Sequence, residues 1–135
     1  MRGLSALIVG ATLAGCAATA EQPTRSAQKQ QEYQRLIAGK VAGPPVSCLP
    51  TYNANDMIVI DEQTIAFRQG GNHVYIAHMP GGCSNLGRSP YTMVTKQFGT
   101  AQLCRGDIAR IVDTTNRITV GSCVFGDFTP YSRTQ

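Results

Sequence analysis

The five cysteines are the residues of this 135-residue chain whose chemistry is most informative. A cysteine thiol can act as a nucleophile, as a metal ligand, as a redox group or as one half of a disulfide bond. The sequence contains no Cys-x-x-Cys pair, so it does not predict thiol–disulfide exchange. Because five is an odd number, an exported protein of this kind would keep one unpaired cysteine, which indicates a separate role for that residue.

Cys16 is the cysteine with the most distinctive surroundings. It closes the segment Leu13-Ala14-Gly15-Cys16, which follows a basic Met1-Arg2 start and an apolar stretch, residues 4–13. That stretch has signal-peptide length and is too short to cross a bilayer, which takes about 20 apolar residues. The four-residue segment resembles the lipobox of bacterial lipoproteins. This resemblance implies that the Cys16 thiol receives a diacylglycerol, that residues 1–15 are removed and that the new amine is acylated.

Lipidation of Cys16 would make the membrane the first partner of the chain. The alternative is an ordinary secretory signal in which Cys16 is one more apolar residue. In the usual Gram-negative sorting pattern an Asp after the lipidated Cys favours retention at the inner membrane. Ala17 stands there instead, so we expect an exported, lipid-anchored protein at the outer membrane, facing the periplasm.

The remaining four cysteines predict two disulfide bonds, because an even count is typical of small exported domains. They are Cys48, Cys83, Cys104 and Cys123. Four cysteines allow three pairings. We favour Cys83–Cys104, which would close the irregular stretch between residues 84 and 100. The other bond would then be Cys48–Cys123, tying the first element of the domain to its last strand.

Three regions follow from this interpretation: a signal peptide at residues 1–15, a lipidated cysteine with a tether at residues 16–47, and a disulfide-bonded β-domain at residues 48–135. The start of the tether is rich in Ala, Gln, Thr and Ser and has little to bury. Helical spacing of Tyr33, Leu36 and Ile37 predicts a short helix near residues 26–38, and a disordered spacer is the alternative.

Short apolar runs separated by turn residues dominate the chain after Cys48. Candidate strands are residues 57–60, 64–68, 73–79, 91–95, 101–104, 108–112 and 117–125. Gln69-Gly70-Gly71-Asn72 is a hairpin signal because Gly and Asn tolerate positive φ. No long helical pattern separates the runs, so the sequence predicts an all-β fold, a small antiparallel meander that closes into a barrel or a sandwich.

Several segments also resemble a known family. Residues 61–68, the segment Leu103-Cys104-Arg105-Gly106-Asp107 and the strand residues 121–128 are similar to the small bacterial lipoproteins grouped as domain of unknown function 6491. The resemblance covers roughly residues 48–131. It implies an envelope location and a disulfide-bonded fold. The family has no established activity, so the resemblance implies no catalytic residues and no cofactor.

Other motifs favour structural interpretations over chemical ones. Arg105-Gly106-Asp107 is a tripeptide that some adhesins present to integrins, but its Asp can instead close a turn. His73 and His78, the two histidines, lie five apart on one predicted strand and so point to opposite faces, which does not favour a shared metal ion. We therefore predict no metal site.

A hydrolytic site is not favoured either. None of Ser84, Ser89 and Ser122 stands in a Gly-x-Ser-x-Gly turn. Asp61 and Glu62 are adjacent at a turn, and we expect them to point apart into solvent. The sequence therefore predicts no catalytic residues.

The charge of the chain is too mild to predict nucleic-acid binding. Its net charge is +4 and falls to +3 without residues 1–15, whose only charged residue is Arg2. Basic side chains spread through the domain could instead meet acidic lipid headgroups or an envelope polymer. We predict a non-enzymatic binding or structural module with an envelope protein or polymer as partner. A periplasmic inhibitor or a small-ligand carrier is the alternative, and an enzyme is less favoured.

Overall fold

Two antiparallel β-sheets pack against each other, and one helix lies on the outer face of the larger sheet. The computed structural model describes residues 25–50, 52–97 and 102–134. The larger sheet has the strand order β1-β8-β4-β3-β2, and the smaller has the order β5-β6-β7. The elements are α1 (Ala27–Ile37), β1 (Val41–Ala42), β2 (Met57–Asp61), β3 (Thr64–Gln69), β4 (His73–His78), β5 (Tyr91–Thr95), β6 (Ile108–Asp113), β7 (Ile118–Val124) and β8 (Phe128–Ser132).

The predicted all-β class is confirmed, and the architecture is that of a sandwich. Neither sheet closes on itself, because the strand orders end at β1 and β2 in one sheet and at β5 and β7 in the other. The meander holds within β2-β3-β4 and within β5-β6-β7. It fails at β8, which returns from the end of the chain to lie between β1 and β4.

Strands β1 and β8 were not predicted from the sequence, and the strand predicted at residues 101–104 is wrong. Pro130 stands within β8 and has no N–H to donate, so the pattern did not indicate a paired strand. Its carbonyl nevertheless accepts from the N–H of Gly43 at 2.8 Å. The run at residues 101–104 is not a strand in its described part, because only Cys104 pairs there, in an isolated bridge with Cys48.

Helix α1 forms where the helical spacing predicted it, and it packs on the larger sheet. The Ser26 hydroxyl caps the helix by accepting from the N–H of Lys29 at 3.2 Å. Tyr33, Leu36 and Ile37 pack against a buried cluster on the outer face of the sheet, made of Ile60, Ala66, Val74 and Ile76. Burial raises the pKa of the Tyr33 hydroxyl, and its hydrogen bond with Tyr131 adds to this effect.

Arg25 fixes the start of the described chain to the same sheet. Its Nε lies 2.8 Å from Oδ2 of Asp61, and its guanidinium sits 4.6 Å from the ring centre of Tyr33. The segment that we assigned to a tether therefore packs against the domain from Arg25 onward. The predicted signal peptide and Cys16 lie outside the described residues. Within the described ranges, no helix is long and apolar enough to span a membrane.

The core between the sheets is built around three phenylalanines. Phe67 of β3, Phe125 after β7 and Phe128 of β8 are each at most 2 % exposed. The rings of Phe125 and Phe128 stack with centroids 6.0 Å apart, and Phe67 meets Phe128 edge-on at 6.1 Å. This cluster joins the end of the smaller sheet to the larger one.

The disulfide pairing differs from the pairing that we favoured. Cys48 is bonded to Cys104, and Cys83 is bonded to Cys123. The predicted pairs Cys83–Cys104 and Cys48–Cys123 are therefore wrong, although all four cysteines form disulfides as expected. The reason is a backbone contact that the strand pattern did not indicate. The N–H of Leu49 donates to the carbonyl of Leu103 at 2.8 Å, which sets Cys48 directly beside Cys104.

The turn between β6 and β7 depends on an ionised carboxylate. Oδ1 of Asp113 accepts from the backbone N–H groups of Thr115 and Asn116, and Oδ2 accepts from Nδ2 of Asn116 at 2.8 Å. The hydrogen bonds from Asn116 hold the pKa of Asp113 below its usual value. Because the folded pKa is depressed, this stabilisation is present at neutral pH and is lost as the pH falls through the lowered pKa.

Candidate binding surface

The outer face of the smaller sheet carries exposed apolar side chains. Val94, Ile108 and Val124 are 48 %, 58 % and 43 % exposed. The register places Ile108 opposite Val124 and Val94 opposite Arg110, so these side chains are neighbours across three strands. Helix α1 covers the outer face of the larger sheet. The exposure of Val94, Ile108 and Val124 indicates that the outer face of the smaller sheet is not covered in this way, and we call it the open face.

A cleft of about 510 Å³ lies along this open face. Its lining combines the apolar side chains of Val94 and Ile108 with the cations Lys96 and Arg110 and the turn residues Gly106 and Asp107. Its volume falls within the range of about 300–1,000 Å³ that is typical of small-molecule sites. Apolar surface beside a guanidinium suits an acidic group attached to an apolar body.

Asp107 lines the cleft and also holds the turn before β6. Its Oδ2 accepts from the N–H of Cys104 at 2.7 Å. Gly106 has a φ of 91°, which favours glycine in this turn. Arg105 points to Asp127, with its Nη1 3.0 Å from Oδ1. The Arg105-Gly106-Asp107 segment thus has the geometry of the structural turn, with both of its charged side chains engaged.

The histidines stand apart from the cleft. His73 and His78 are exposed at the two ends of β4. Because they lie five positions apart on one strand, their side chains leave on opposite faces of the larger sheet. In the part of the chain that the structure describes, no group of three His, Cys, Asp or Glu residues is placed to hold a metal ion.

Asp61 and Glu62 both make structural contacts, and the expectation that they point into solvent is wrong for Asp61 alone, since the Glu62 side chain is 43 % exposed. The side chain of Asp61 is 7 % exposed and bonds Arg25. Oε1 of Glu62 accepts from the N–H of Asn85 at 3.0 Å and lies 3.7 Å from Arg88. The two carboxylates do point to different partners, which does not suit paired acid–base work.

The three serines do not form a nucleophile–base pair with either histidine. Ser84 and Ser89 lie in the loop before β5, and Ser122 lies on β7. Among the described residues no hydrogen bond joins these hydroxyls to His73 or His78, which are both on β4.

The basic side chains do not form a single patch. Arg25, Arg88 and Arg105 are in ion pairs with carboxylates. A second cleft of about 480 Å³ beside the end of α1 is lined by Arg35, Lys40, Arg68 and Asp56, among others. Lys96 and Arg110 line the cleft on the open face.

The cleft on the open face was not predicted from the sequence, because the pairing of strands creates it. The alternation of Ile108 and Arg110 with buried Ala109 was its only local signal.

The comparisons with known proteins give one match. The family model described as a family of unknown function (DUF6491) matches residues 1–131. The match extends further upstream than the resemblance that we noted, and it includes the Leu13-Ala14-Gly15-Cys16 segment. Neither the curated proteins nor the solved structures gave a match.

Proposed function

Since this chain belongs to the DUF6491 family of unknown function, we propose that it is a lipid-anchored protein of the bacterial cell envelope whose β-domain is a non-enzymatic binding module. The observation that carries this proposal is the cysteine pairing. Both disulfides together use four of the five cysteines. Cys16 is the one left for a different role, and it stands directly after Leu13-Ala14-Gly15.

The anchor would hold the domain close to the membrane. Arg25 lies nine positions after Cys16, and nine fully extended residue steps reach about 30 Å. Arg25 is fixed to the larger sheet through Asp61, so the link from Cys16 to the folded domain ends there. The open face of the smaller sheet lies on the other side of the sandwich from α1 and is accessible to a partner in the envelope.

The cleft on the open face is the surface that we assign to this partner. Arg110 offers a cation beside the apolar side chains of Val94 and Ile108. A carboxylate or phosphate group of an envelope protein or polymer would pair with Arg110, and its apolar neighbours would cover Ile108. The carboxylates near this face are engaged in turns and ion pairs, which favours binding over acid–base catalysis.

Replacing Cys16 by alanine is expected to abolish lipidation. In cells fed an alkyne-bearing fatty acid, the wild-type protein should be labelled and should fractionate with the membranes, whereas Cys16→Ala should carry no label. Thr12→Ser is the matched control, because it changes a residue in the apolar stretch and leaves the four-residue segment intact. Labelling of Cys16→Ala at the wild-type level would overturn the lipid anchor.

Reversing the charge of Arg110 is expected to reduce partner capture. After chemical cross-linking in intact cells, an envelope component that is recovered with the wild-type protein should fall about tenfold with Arg110→Glu, since a favourable charged contact becomes repulsive. Arg133→Glu is the control, because Arg133 is exposed and lies beyond β8, outside the cleft. Equal capture by both variants would exclude the cleft as the binding surface.

A small-ligand carrier is the second candidate, and the volume of the cleft favours it. Saturable binding of an anionic amphiphile that Arg110→Glu weakens, without a captured macromolecule, would support the carrier. An inhibitor acting through a protruding loop has less support. Such a loop would lie within residues 84–100, where Leu86 is 5 % exposed and residues 91–95 form β5.

A further inference from the structure

Strand β7 is a long edge strand without charged residues. It has seven residues, Ile118–Val124, and contains no charged residue and no proline. Ile118, Val120 and Val124 are between 42 % and 54 % exposed. Natural proteins protect such edges with charged side chains, proline, short strands or a covering segment, because an open edge pairs with further strands.

The other three sheet edges are protected in these ways. Strand β1 has two residues and is followed by Pro44-Pro45. The loop at residues 83–88 covers β2, since Gly87 lies so close that a Cβ there would be 3.0 Å from Cγ1 of Val59. Strand β5 is bounded by Pro90 and Lys96. Strand β7 is preceded by Arg117 and carries a bulge at Val120, but both lie outside residues 121–124, which stay in regular pairing with β6.

The backbone groups on the free side of β7 can be assigned from its pairing with β6. The N–H of Phe125 donates to the carbonyl of Asp107 at 3.0 Å. Hydrogen bonding alternates along an antiparallel strand, so Cys123 continues this ladder toward β6, and the N–H and C=O groups of Ser122 and Val124 point away from it. These four groups have no backbone partner among the described residues.

From this unprotected edge we propose that two copies of the chain associate through β7, antiparallel, with Ser122 of one copy opposite Val124 of the other. This register satisfies the four outward backbone groups of each copy. It brings the two Val124 side chains together diagonally on the open face, each beside an Ile108, so exposed apolar surface is buried. The two strands bring no like charges together, because β7 is uncharged and the two Arg110 side chains stay about 14 Å apart, three strand spacings.

This association extends the smaller sheet to six strands and is independent of the lipid anchor. A second copy suits this edge better than a charged partner strand would, because β7 is neutral and the two Val124 side chains meet diagonally in the register given above. Val94, Thr95 and Lys96 line the cleft from the β5 side of the sheet, which pairing at β7 leaves open, and Ile108 borders both surfaces.

Analytical ultracentrifugation of the full chain in detergent tests this proposal. The wild-type protein is expected to sediment as a dimer, and Val124→Lys and Val124→Glu should each weaken association at least about tenfold by placing like charges together. A one-to-one mixture of the two variants should recover the dimer, since the charges are then opposite. Thr92→Lys, which adds the same charge on the exposed face of the other edge strand, should leave the dimer intact.

Three results would overturn the proposal. They are a monomeric wild-type protein at the highest soluble concentration, dissociation by Thr92→Lys to the same extent, or a mixture of the Lys and Glu variants that stays monomeric. Unchanged disulfide content and far-ultraviolet circular dichroism establish that each variant is folded. Because Cys16 is wild-type throughout, a failure here does not bear on the lipid anchor, and the labelling of Cys16→Ala does not bear on the dimer.

Discussion

Replacing Cys83 and Cys123 together by alanine is expected to lower the free energy of unfolding by about 4 kcal/mol, from the chain entropy of the 40-residue separation that the bond closes. Both cysteines are buried, at 1 % and 6 % exposed, so alanine keeps the site apolar. The thermal midpoint should fall by roughly 15 °C for a domain of this size. Circular dichroism during thermal and urea unfolding would measure both quantities.

The matched variant is the pair Cys48→Ala and Cys104→Ala, whose bond closes a similar separation of 56 residues. Chain entropy predicts a similar loss of about 4 kcal/mol for this pair. A larger loss for the first pair would mean that packing of the buried sulfurs contributes as well. An unchanged midpoint in both double variants would contradict the stabilising role of the disulfides.

The wild-type protein, with all four cysteines present, allows the pairing itself to be checked. Tryptic cleavage after lysine and arginine places each disulfide cysteine in a separate peptide, namely residues 41–68, 69–88, 97–105 and 118–133. Without reduction, mass spectrometry should find 41–68 linked to 97–105 and 69–88 linked to 118–133. A link between 41–68 and 118–133 would contradict the structure.

Truncating Phe128 to alanine is expected to cost about 4 kcal/mol of unfolding free energy, because it removes a fully buried ring and leaves a cavity. Phe128 is 0 % exposed and contacts both Phe67 and Phe125. It also lies at the start of β8, where its backbone pairs with Val46 on one side and Ala77 on the other. The cavity would therefore open where the two sheets meet, and urea unfolding would measure the cost.

Two further variants calibrate the Phe128 result. Phe128→Leu keeps much of the volume and should cost about 1–2 kcal/mol. Ile108→Ala removes an apolar side chain that is 58 % exposed on the open face, and should change the stability by no more than about 0.5 kcal/mol. A loss for Phe128→Ala as small as that for Ile108→Ala would contradict the central place of the aromatic cluster in the core.

Local features of this chain were predictable from the sequence where the signal and its cause lie within a few residues. The run at residues 64–68 alternates and is followed by glycines, and it forms β3 with the predicted hairpin to β4. The spacing of Tyr33, Leu36 and Ile37 predicted α1, because helical periodicity acts within one or two turns. The involvement of four cysteines in disulfides followed from counting.

The features that failed depend on contacts between distant residues. Residues 128–132 were not among the predicted strands, yet they form β8, which pairs with β1 on one side and β4 on the other although Pro130 has no N–H to donate. Asp61 looked solvent-facing from its turn, but Arg25 reaches it from 36 positions earlier in the chain. The cleft at Val94 and Arg110 exists only once β5 pairs with β6.

The sequence by itself determined the β class, the helix, the hairpins and the four cysteines that pair, since each depends on backbone preferences or on counting. Only the tertiary structure decided that Cys48 meets Cys104, that α1 covers one sheet, and that the open face and the edge at β7 stay exposed. The physical reason is that local propensity acts over a few residues, whereas pairing and burial depend on which distant segments the whole chain can bring together at least free energy.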